Sequence, residues 1–386
     1  MKPIRIALVA GEASGDLLAS HLIAALKARI PDAHFYGIGG PKMQAQGFEA
    51  LWPSEKLAVR GYVEVLRHYR EITGIRRDLL KHLKVDKPDM FIGVDAPDFN
   101  LWLESKLKKA GITAIHFVSP SVWAWRRERV RKIADSISHL LALFPFEPEI
   151  YEPYRVPVSY VGHPLADVIP LDVSKAAARE RLGLGDGNGP VFALLPGSRQ
   201  SELQYMAETF IETGKLLLDK FPTAQFLVPL VSRETRNQFE AALWKQGAQE
   251  HPFKLLFGHA QDAMAASDAV LVASGTATLE AALIKRPIVI TYKMSPWSWK
   301  KMNKMRYQPW VGLPNVLAGK FVVPELLQDD ATPENLAQAL ANMVKDKTYA
   351  EKIESCFRVI HQTLRQDTAT KATEAILHYL PSGAAA

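Results

Sequence analysis

The sequence predicts an α/β protein made of two doubly wound parallel-sheet units in series, followed by a helical tail. Three observations carry that expectation. Short, almost wholly apolar runs recur along the chain at the length of buried parallel strands. Amphipathic stretches of helical length separate them, which is the βαβ rhythm of a parallel sheet with helices on both faces. The rhythm lapses once, at the run 183–189 (Gly-Leu-Gly-Asp-Gly-Asn-Gly), and then restarts. A chain of 386 residues exceeds one ordinary core. The expected division is therefore 1–166, 167–345 and a tail of helices, 346–386, long enough to pack back on the first unit.

In the first unit the strands are expected at 4–10, 34–38, 90–94, 113–118, 140–144 and 158–161, with helical stretches such as 17–28 and 102–109. The second unit repeats the pattern with strands at 191–195, 225–230, 254–257, 269–273 and 287–292. Helical periodicity returns at 333–344 and 349–380. Ligands of such sheets bind beyond the carboxyl ends of the strands, so two facing sheets would leave a cleft between them.

Composition narrows the class. Hydrophobic residues make up 48% and charged residues 23%, as in soluble globular proteins. A single cysteine, Cys356, excludes an intramolecular disulfide framework and suits a reducing cytoplasm. The apolar run Ala7-Leu8-Val9-Ala10 is too short for a signal peptide and reads as a strand. No stretch has the length of a membrane span. The net charge of +6 points to an anionic partner without saying which kind.

The polar residues at predicted strand ends are the candidates for chemistry. After the first strand comes Gly11-Glu12-Ala13-Ser14-Gly15-Asp16. This is neither a dinucleotide fingerprint nor a Walker loop. It offers close backbone approach at Gly15, beside Ser14, with Glu12 or Asp16 available to a sugar hydroxyl. Asp95-Ala96-Pro97-Asp98-Phe99-Asn100 follows the strand ending at Val94. Asp95 reads either as a turn residue or as a general base at the strand end, and Asp98 as the N-cap of the next helix. Ser119-Pro120-Ser121 leads into Trp123-Ala124-Trp125-Arg126-Arg127, read either as an acceptor pocket with a phosphate-binding pair or as packing. His163, in Gly162-His163-Pro164, either meets substrate or ties the hinge.

In the second unit, Pro196-Gly197-Ser198-Arg199 ends one strand in a glycine turn whose backbone N–H groups can grip a diphosphate, with Arg199 adding charge. Ser274-Gly275-Thr276-Ala277-Thr278 turns another strand sharply into a helix. Its first N–H groups and the helix dipole suit a phosphate, and Glu280, one turn on, would reach a ribose hydroxyl. Two such loops on one sheet edge are far more specific than either alone. No metal-ligand spacing and no Gly-x-Ser-x-Gly elbow occurs.

Two stretches mix basic with apolar or aromatic residues. One is 57–83, with Val63, Leu66, Tyr69 and Ile72 among Arg60, Arg67, Arg70, Arg76 and Arg77. The other is 297–307, with Trp297, Trp299, Lys300, Lys301 and Lys304. Both suit an interfacial helix on an anionic membrane or an amphipathic helix packed on its own unit. No nucleic-acid module is evident.

Taken together, Gly11–Asp16, Gly93–Asn100, Ser119–Arg126, Gly162–Pro164, Leu195–Arg199, Ser274–Glu280 and Leu313–Gly319 resemble the bacterial lipid-A-disaccharide synthases, in order and spacing from about residue 4 to beyond 320. The resemblance implies a GT-B glycosyltransferase with two facing Rossmann-like units. It implies inverting transfer of diacylglucosamine from UDP-2,3-diacylglucosamine to 2,3-diacylglucosamine 1-phosphate (lipid X), giving the β-1,6 disaccharide and UDP. It implies an enzyme needing no metal or other cofactor, held peripherally on the cytoplasmic face of the inner membrane, with a second copy of the chain left open as a partner. By motif position, Asp95 becomes the base, Gly197–Arg199 and Ser274–Glu280 hold UDP, and Asn315 sits near the donor. Rival readings are another UDP-sugar enzyme of this architecture, such as a lipid-linked N-acetylglucosaminyltransferase or a UDP-N-acetylglucosamine epimerase, and a non-catalytic nucleotide-binding membrane protein.

Overall fold

The structure, a computed structural model, describes residues 3–57, 62–185 and 189–380, without the side chains of 62–69. The chain divides into two compact units, one running to Asp167 and resuming at Leu364, the other spanning Val168–Thr363.

The first unit holds a seven-stranded parallel sheet. Its strands are β1 (Arg5–Ala10), β2 (His34–Gly39), β3 (Glu49–Pro53), β4 (Met90–Val94), β5 (Thr113–Phe117), β6 (His139–Ala142) and β7 (Val158–Tyr160), in the spatial order β3-β2-β1-β4-β5-β6-β7. The order reverses between β1 and β4, which pair from Ile6↔Met90 to Ala10↔Val94. That pair is the topological switch point, where a doubly wound sheet opens a crevice beyond its carboxyl edge. Alternate residues of the strands enter two cores. Ile6, Leu8, Ile92, Val94, Ile115 and Phe117 pack on one face with α1 (Ala13–Arg29). Ala7, Val9 and Phe91 pack on the other with α3 (Tyr62–Asp86) and α4 (Pro97–Lys108).

The second unit repeats the plan with six parallel strands: β8 (Val191–Leu195), β9 (Gln225–Leu230), β10 (Phe253–Phe257), β11 (Ala269–Ala273), β12 (Ile288–Tyr292) and β13 (Glu325–Leu327). Their order is β10-β9-β8-β11-β12-β13, so the switch point lies between β8 and β11. Both central strands are buried throughout, which is why their sequences are unbroken Val, Leu, Ala and Phe.

Two strands exceed expectation. β3 and β13 are short edge strands, incompletely buried and with charged residues at their starts, so neither shows a buried-strand signature. The tail also differs from a single returning block. The helix Lys347–Leu364 belongs with the second unit except for its last residue, and only Thr368–Leu377 packs on the first. Between them Asp367 is left-handed (φ 54°), and the Asp167 carboxylate accepts from the N–H groups of Gln366 (3.1 Å) and Thr368 (2.8 Å). That bracket breaks what the periodicity presents as one helix.

The returning helix is part of the first core rather than an appendage, since Ala372 and Ile376 are fully buried in it. Ile376→Ala is expected to cost about 2–5 kcal/mol, as for other large-to-small core changes. In a denaturant titration with a probe in each unit, the loss should appear in the first unit's transition and leave the second unchanged.

Candidate active site

Each sheet brings the predicted polar loops of its two central strands to its switch point. In the first unit the loops after β1 and β4 touch: a Cβ on Gly11 would lie 3.1 Å from the Ala96 Cβ. Gly15 is buried against Ala10 and the Val94 carbonyl, which lets α1 start close over the strand ends. Glu12 on this loop and Ser14 in the first turn of α1 are exposed, and Glu12 makes no capping bond to α1.

Asp16 does not join them. It is 3% exposed, and its carboxylate accepts from the N–H groups of Gly40 (2.9 Å), Lys42 (3.0 Å) and Met43 (3.1 Å). Those are the unpaired donors at the start of α2 (Pro41–Ala45), so Asp16 caps that helix from α1 and has no oxygen turned to a sugar.

Asp95 stands at the carboxyl end of β4, half-buried, with its N–H donating to the Phe117 carbonyl at 2.8 Å. Asp95 and Ala96 are both left-handed (φ 51° and 44°), a sharp turn that ends the strand and lets α4 begin at Pro97. Among the described residues the Asp95 carboxylate makes no hydrogen bond or ion pair, so it is available at the N-terminal end of α4. Asp98 is not the cap expected of it. Ala96 occupies that position without a side-chain bond, and Asp98 pairs with Arg129 at 3.0 Å.

The loops after β5, β6 and β7 divide into an inner and an outer set. Ser119 is buried and hydrogen-bonded to the Tyr151 hydroxyl (2.9 Å). Beside it Glu147 is buried, accepts from the Phe144 N–H (2.9 Å), and is pushed by burial up to about 8. Ser119 therefore belongs to the wall. His163 stacks on Phe144 (5.7 Å between centroids), and burial pulls it down to about 4. Its Nδ1 accepts from the Leu165 N–H at 3.2 Å, leaving a neutral ring that can donate only through Nε2. Trp123 meets Phe144 and Phe146 edge-on, so it is packing, whereas Trp125 and Arg126 are exposed.

In the second unit the loops after β8 and β11 flank the switch point. Gly197 has φ 126°, and a Cβ there would strike Glu202 at 2.6 Å. The N–H groups of Ser198 and Arg199 do not stand open. Both donate to Glu202 Oε2, at 2.8 and 3.2 Å. Glu202 lies three residues into the helix Gln200–Lys220, the acidic position of a capping box. What this loop presents outward is the Arg199 guanidinium, with its side chain 75% exposed.

The other loop keeps its donors. Gly275 (φ 149°) is exposed, and the helix Thr276–Ile284 starts directly after it. Among the described residues, the N–H groups of Gly275, Thr276 and Ala277 have no backbone partner. The Thr278 hydroxyl is committed to the Gly275 carbonyl at 2.7 Å, which leaves Thr276 as the free hydroxyl. Glu280, one turn in, is raised by burial and receives only a long bond from Gln261 (3.4 Å). Ser274 is half-buried, with its N–H tied to Thr291.

Asn315 commits its polar atoms elsewhere than to these loops. It is fully buried; its Nδ2 donates to Val323 O and Glu325 Oε1 (both 2.9 Å), and its Oδ1 accepts from Val322 (2.8 Å) and Val323 (3.0 Å). All four bonds hold the helix Leu313–Ala318 to the chain entering β13.

Of the basic–apolar stretches, 58–61 and the side chains of Val63, Leu66 and Tyr69 lie outside the described residues. Ile72 is half-buried against the α3–α4 core. The helix Pro296–Met305 buries no residue, and Trp297 is 87% exposed beside exposed Lys300, Lys301 and Lys304. Among the described residues no helix is long and apolar enough to cross a membrane, and no group of three His, Cys, Asp or Glu could hold a metal ion.

The family model for lipid-A-disaccharide synthetase matches residues 6–378. The chain is 64% identical to a lipid-A-disaccharide synthase of Dechloromonas aromatica over 98% of its own length and 99% of the relative's. It is 55% identical to one of Chromobacterium violaceum, over 97% of each chain. Among solved structures it resembles a UDP-N-acetylglucosamine 2-epimerase of Neisseria meningitidis (TM-score 0.62, 14% identity, 97% and 99% covered) and the glycotransferase of kitacinnamycin (TM-score 0.63, 15% identity, 99% and 100% covered). At that identity the likeness speaks for the GT-B fold alone.

Since Asp16 caps a helix, Asp16→Ala is expected to cost about 1–3 kcal/mol, the range for buried backbone donors left unpaired. Thermal unfolding checks the loss. Turnover per folded molecule at low temperature should change little.

Proposed function

The chain belongs to the lipid-A-disaccharide synthetase family, and from that membership we propose how its two units divide the work of a lipid A glycosyltransferase. It joins the diacylglucosamine of UDP-2,3-diacylglucosamine to lipid X, releasing UDP and leaving the β-1,6 disaccharide. The second unit takes the UDP. Its support is the pair of loops flanking β8 and β11, one with open N–H groups at a helix start and the other with an outward Arg199. Positive charge there stabilises the diphosphate as it leaves. Glu280 receives a ribose hydroxyl.

The first unit takes the lipid acceptor and its proton. The observation that carries this assignment is Asp95, an unpaired carboxylate at the carboxyl edge of the switch-point strand. As the acceptor oxygen bonds to the anomeric carbon and the bond to UDP breaks, Asp95 takes the hydroxyl proton. Exposed Glu12, Ser14, Trp125 and Arg126, on the loops after β1 and β5, contact the acceptor sugar and its phosphate. His163, neutral, donates from Nε2.

Acyl substrates keep their chains in a bilayer, so the enzyme works at the inner face of the inner membrane. Trp297 with Lys300, Lys301 and Lys304 supports an interfacial contact through the helix Pro296–Met305. The opening turns of α3, with Val63, Leu66 and Tyr69, supply a second such contact.

The direct test is incubation with UDP-2,3-diacylglucosamine and lipid X, followed by mass analysis for the disaccharide and UDP. Asp95→Asn is expected to lower turnover by at least about a hundredfold while UDP affinity is kept; near-normal turnover would refute the base. Lys301→Ser is expected to weaken binding to anionic vesicles about fivefold, from roughly 1 kcal/mol per basic residue at such a surface. Unchanged vesicle binding in this variant and in Trp297→Ser would move the contact elsewhere.

A further inference from the structure

Beneath Asp95 lies a buried polar group that the transfer as described leaves unused. Gly93 of β4 pairs in register with His116 of β5, and both stand on the face that packs against α4. Apolar side chains fill that face above and below them. Here the chain instead places an imidazole, no side chain at all, and two polar residues one turn apart on α4, Asn100 and Glu104. Asn100, Glu104 and His116 are each 0% exposed.

The three are built around one another. Glu104 Oε1 meets His116 Nδ1 at 2.7 Å. A Cβ at Gly93 would lie 2.1 Å from that same Oε1 and 2.9 Å from the Asn100 Cβ, so glycine makes the room. Asn100 Nδ2 donates to the Asp95 carbonyl at 2.8 Å. Asn100 Oδ1 and Glu104 Oε2 have no hydrogen-bond partner among the described residues.

For stability alone this is a poor arrangement. A buried ion pair is commonly no better than apolar packing, and a buried oxygen without a partner costs free energy. The backbone above it is also strained. Asp95 (φ 51°), Ala96 (φ 44°) and Val118 (φ 83°) occupy positive φ at two neighbouring strand ends, and for β-branched Val118 that is a genuine outlier. Strain and unsatisfied polar groups persist together where a site needs a geometry fixed.

We propose that Asn100, Glu104 and His116 are positioning residues for Asp95: Asn100 holds its backbone in the strained turn, and the hydrogen-bonded Glu104–His116 pair, in the room that Gly93 leaves, supports that turn from below. This rests on the reading of Asp95 as the base. Burial by itself drives the proton off His116 and holds one on Glu104; at the ring the Glu104 interaction more than reverses burial and Asp95 adds to it, so both members of the pair are raised. The charged groups facing the ring are Glu104 from α4 and Asp95 at the end of β4; β6 presents Leu140 beside it. A positive charge there favours the ionised base, and the coupling is reciprocal.

The test uses full-length enzyme with ¹⁵N-labelled histidine, wild type and Asp95→Asn, titrated by NMR. His116 is expected to be protonated at neutral pH, with its midpoint lowered by about half a unit or more in Asp95→Asn. In parallel, Asn100→Asp, which keeps the shape and loses the amide donor, should lower kcat about tenfold with UDP affinity held within about twofold. A neutral His116, or a midpoint that does not move, overturns the electrostatic role. An unchanged kcat in Asn100→Asp overturns the positioning role. Turnover of Asp95→Asn on the same samples separates the two readings. If it is unchanged, the base and this proposal fall together; if it is lost while midpoint and Asn100→Asp rate stay put, this proposal falls alone.

Discussion

A parallel sheet buried on both faces leaves its chain one region for polar chemistry, the carboxyl edge where the strands end. Each unit of this protein obeys that constraint, and each does so at the strand pair where the winding reverses, β1–β4 and β8–β11. The assignments of Asp95, Arg199 and the Gly275 turn follow from it. Asp95 and the Gly11 loop meet because their strands are neighbours in space although about 85 residues apart in the chain. The same neighbour relation ends β8 and β11 side by side, so the Pro196–Arg199 loop and the Gly275 turn leave adjacent strands. A sequence order of strands becomes a site only through that pairing.

The proposed division of labour would let the two units share one architecture and differ in chemistry. The second exposes backbone donors and a guanidinium, which suit an anion that departs. The first exposes a carboxylate at a strained turn, which suits a proton that moves. GT-B relatives in fold include epimerases as well as transferases, so the architecture alone decides neither reaction. Close identity along the whole chain decides the family.

The central strands were legible because burial on both faces demands uninterrupted apolar runs; 90–94, 191–195, 225–230 and 269–273 are read residue for residue. β3 and β13, half-wet edges, carry no such demand. The site loops were legible as positions, since a glycine or an acid after an apolar run has few other uses. Where each side chain points was not legible. Asp16 and Asn315 both sit in promising motifs, yet each spends its polar atoms on structural bonds 7–27 residues away, to backbone groups and, for Asn315, also to the Glu325 carboxylate. Glu104 and Asn100 left a faint trace, two polar residues at helical spacing on the face that carries Leu103 and Leu107, but nothing in the sequence names His116 as their partner.

Glu202 has a meaning beyond capping. Its carboxylate accepts from the Ser198 and Arg199 N–H groups. A diphosphate taking those donors would have to exchange one anion for another. The loop would then never pass through a state with stranded donors, either on loading or on emptying. Such a loop would bind a diphosphate less tightly than an open cradle, and would release it without leaving its own backbone unbonded. For an enzyme that must release UDP at every cycle, that internal counterpart favours turnover over retention.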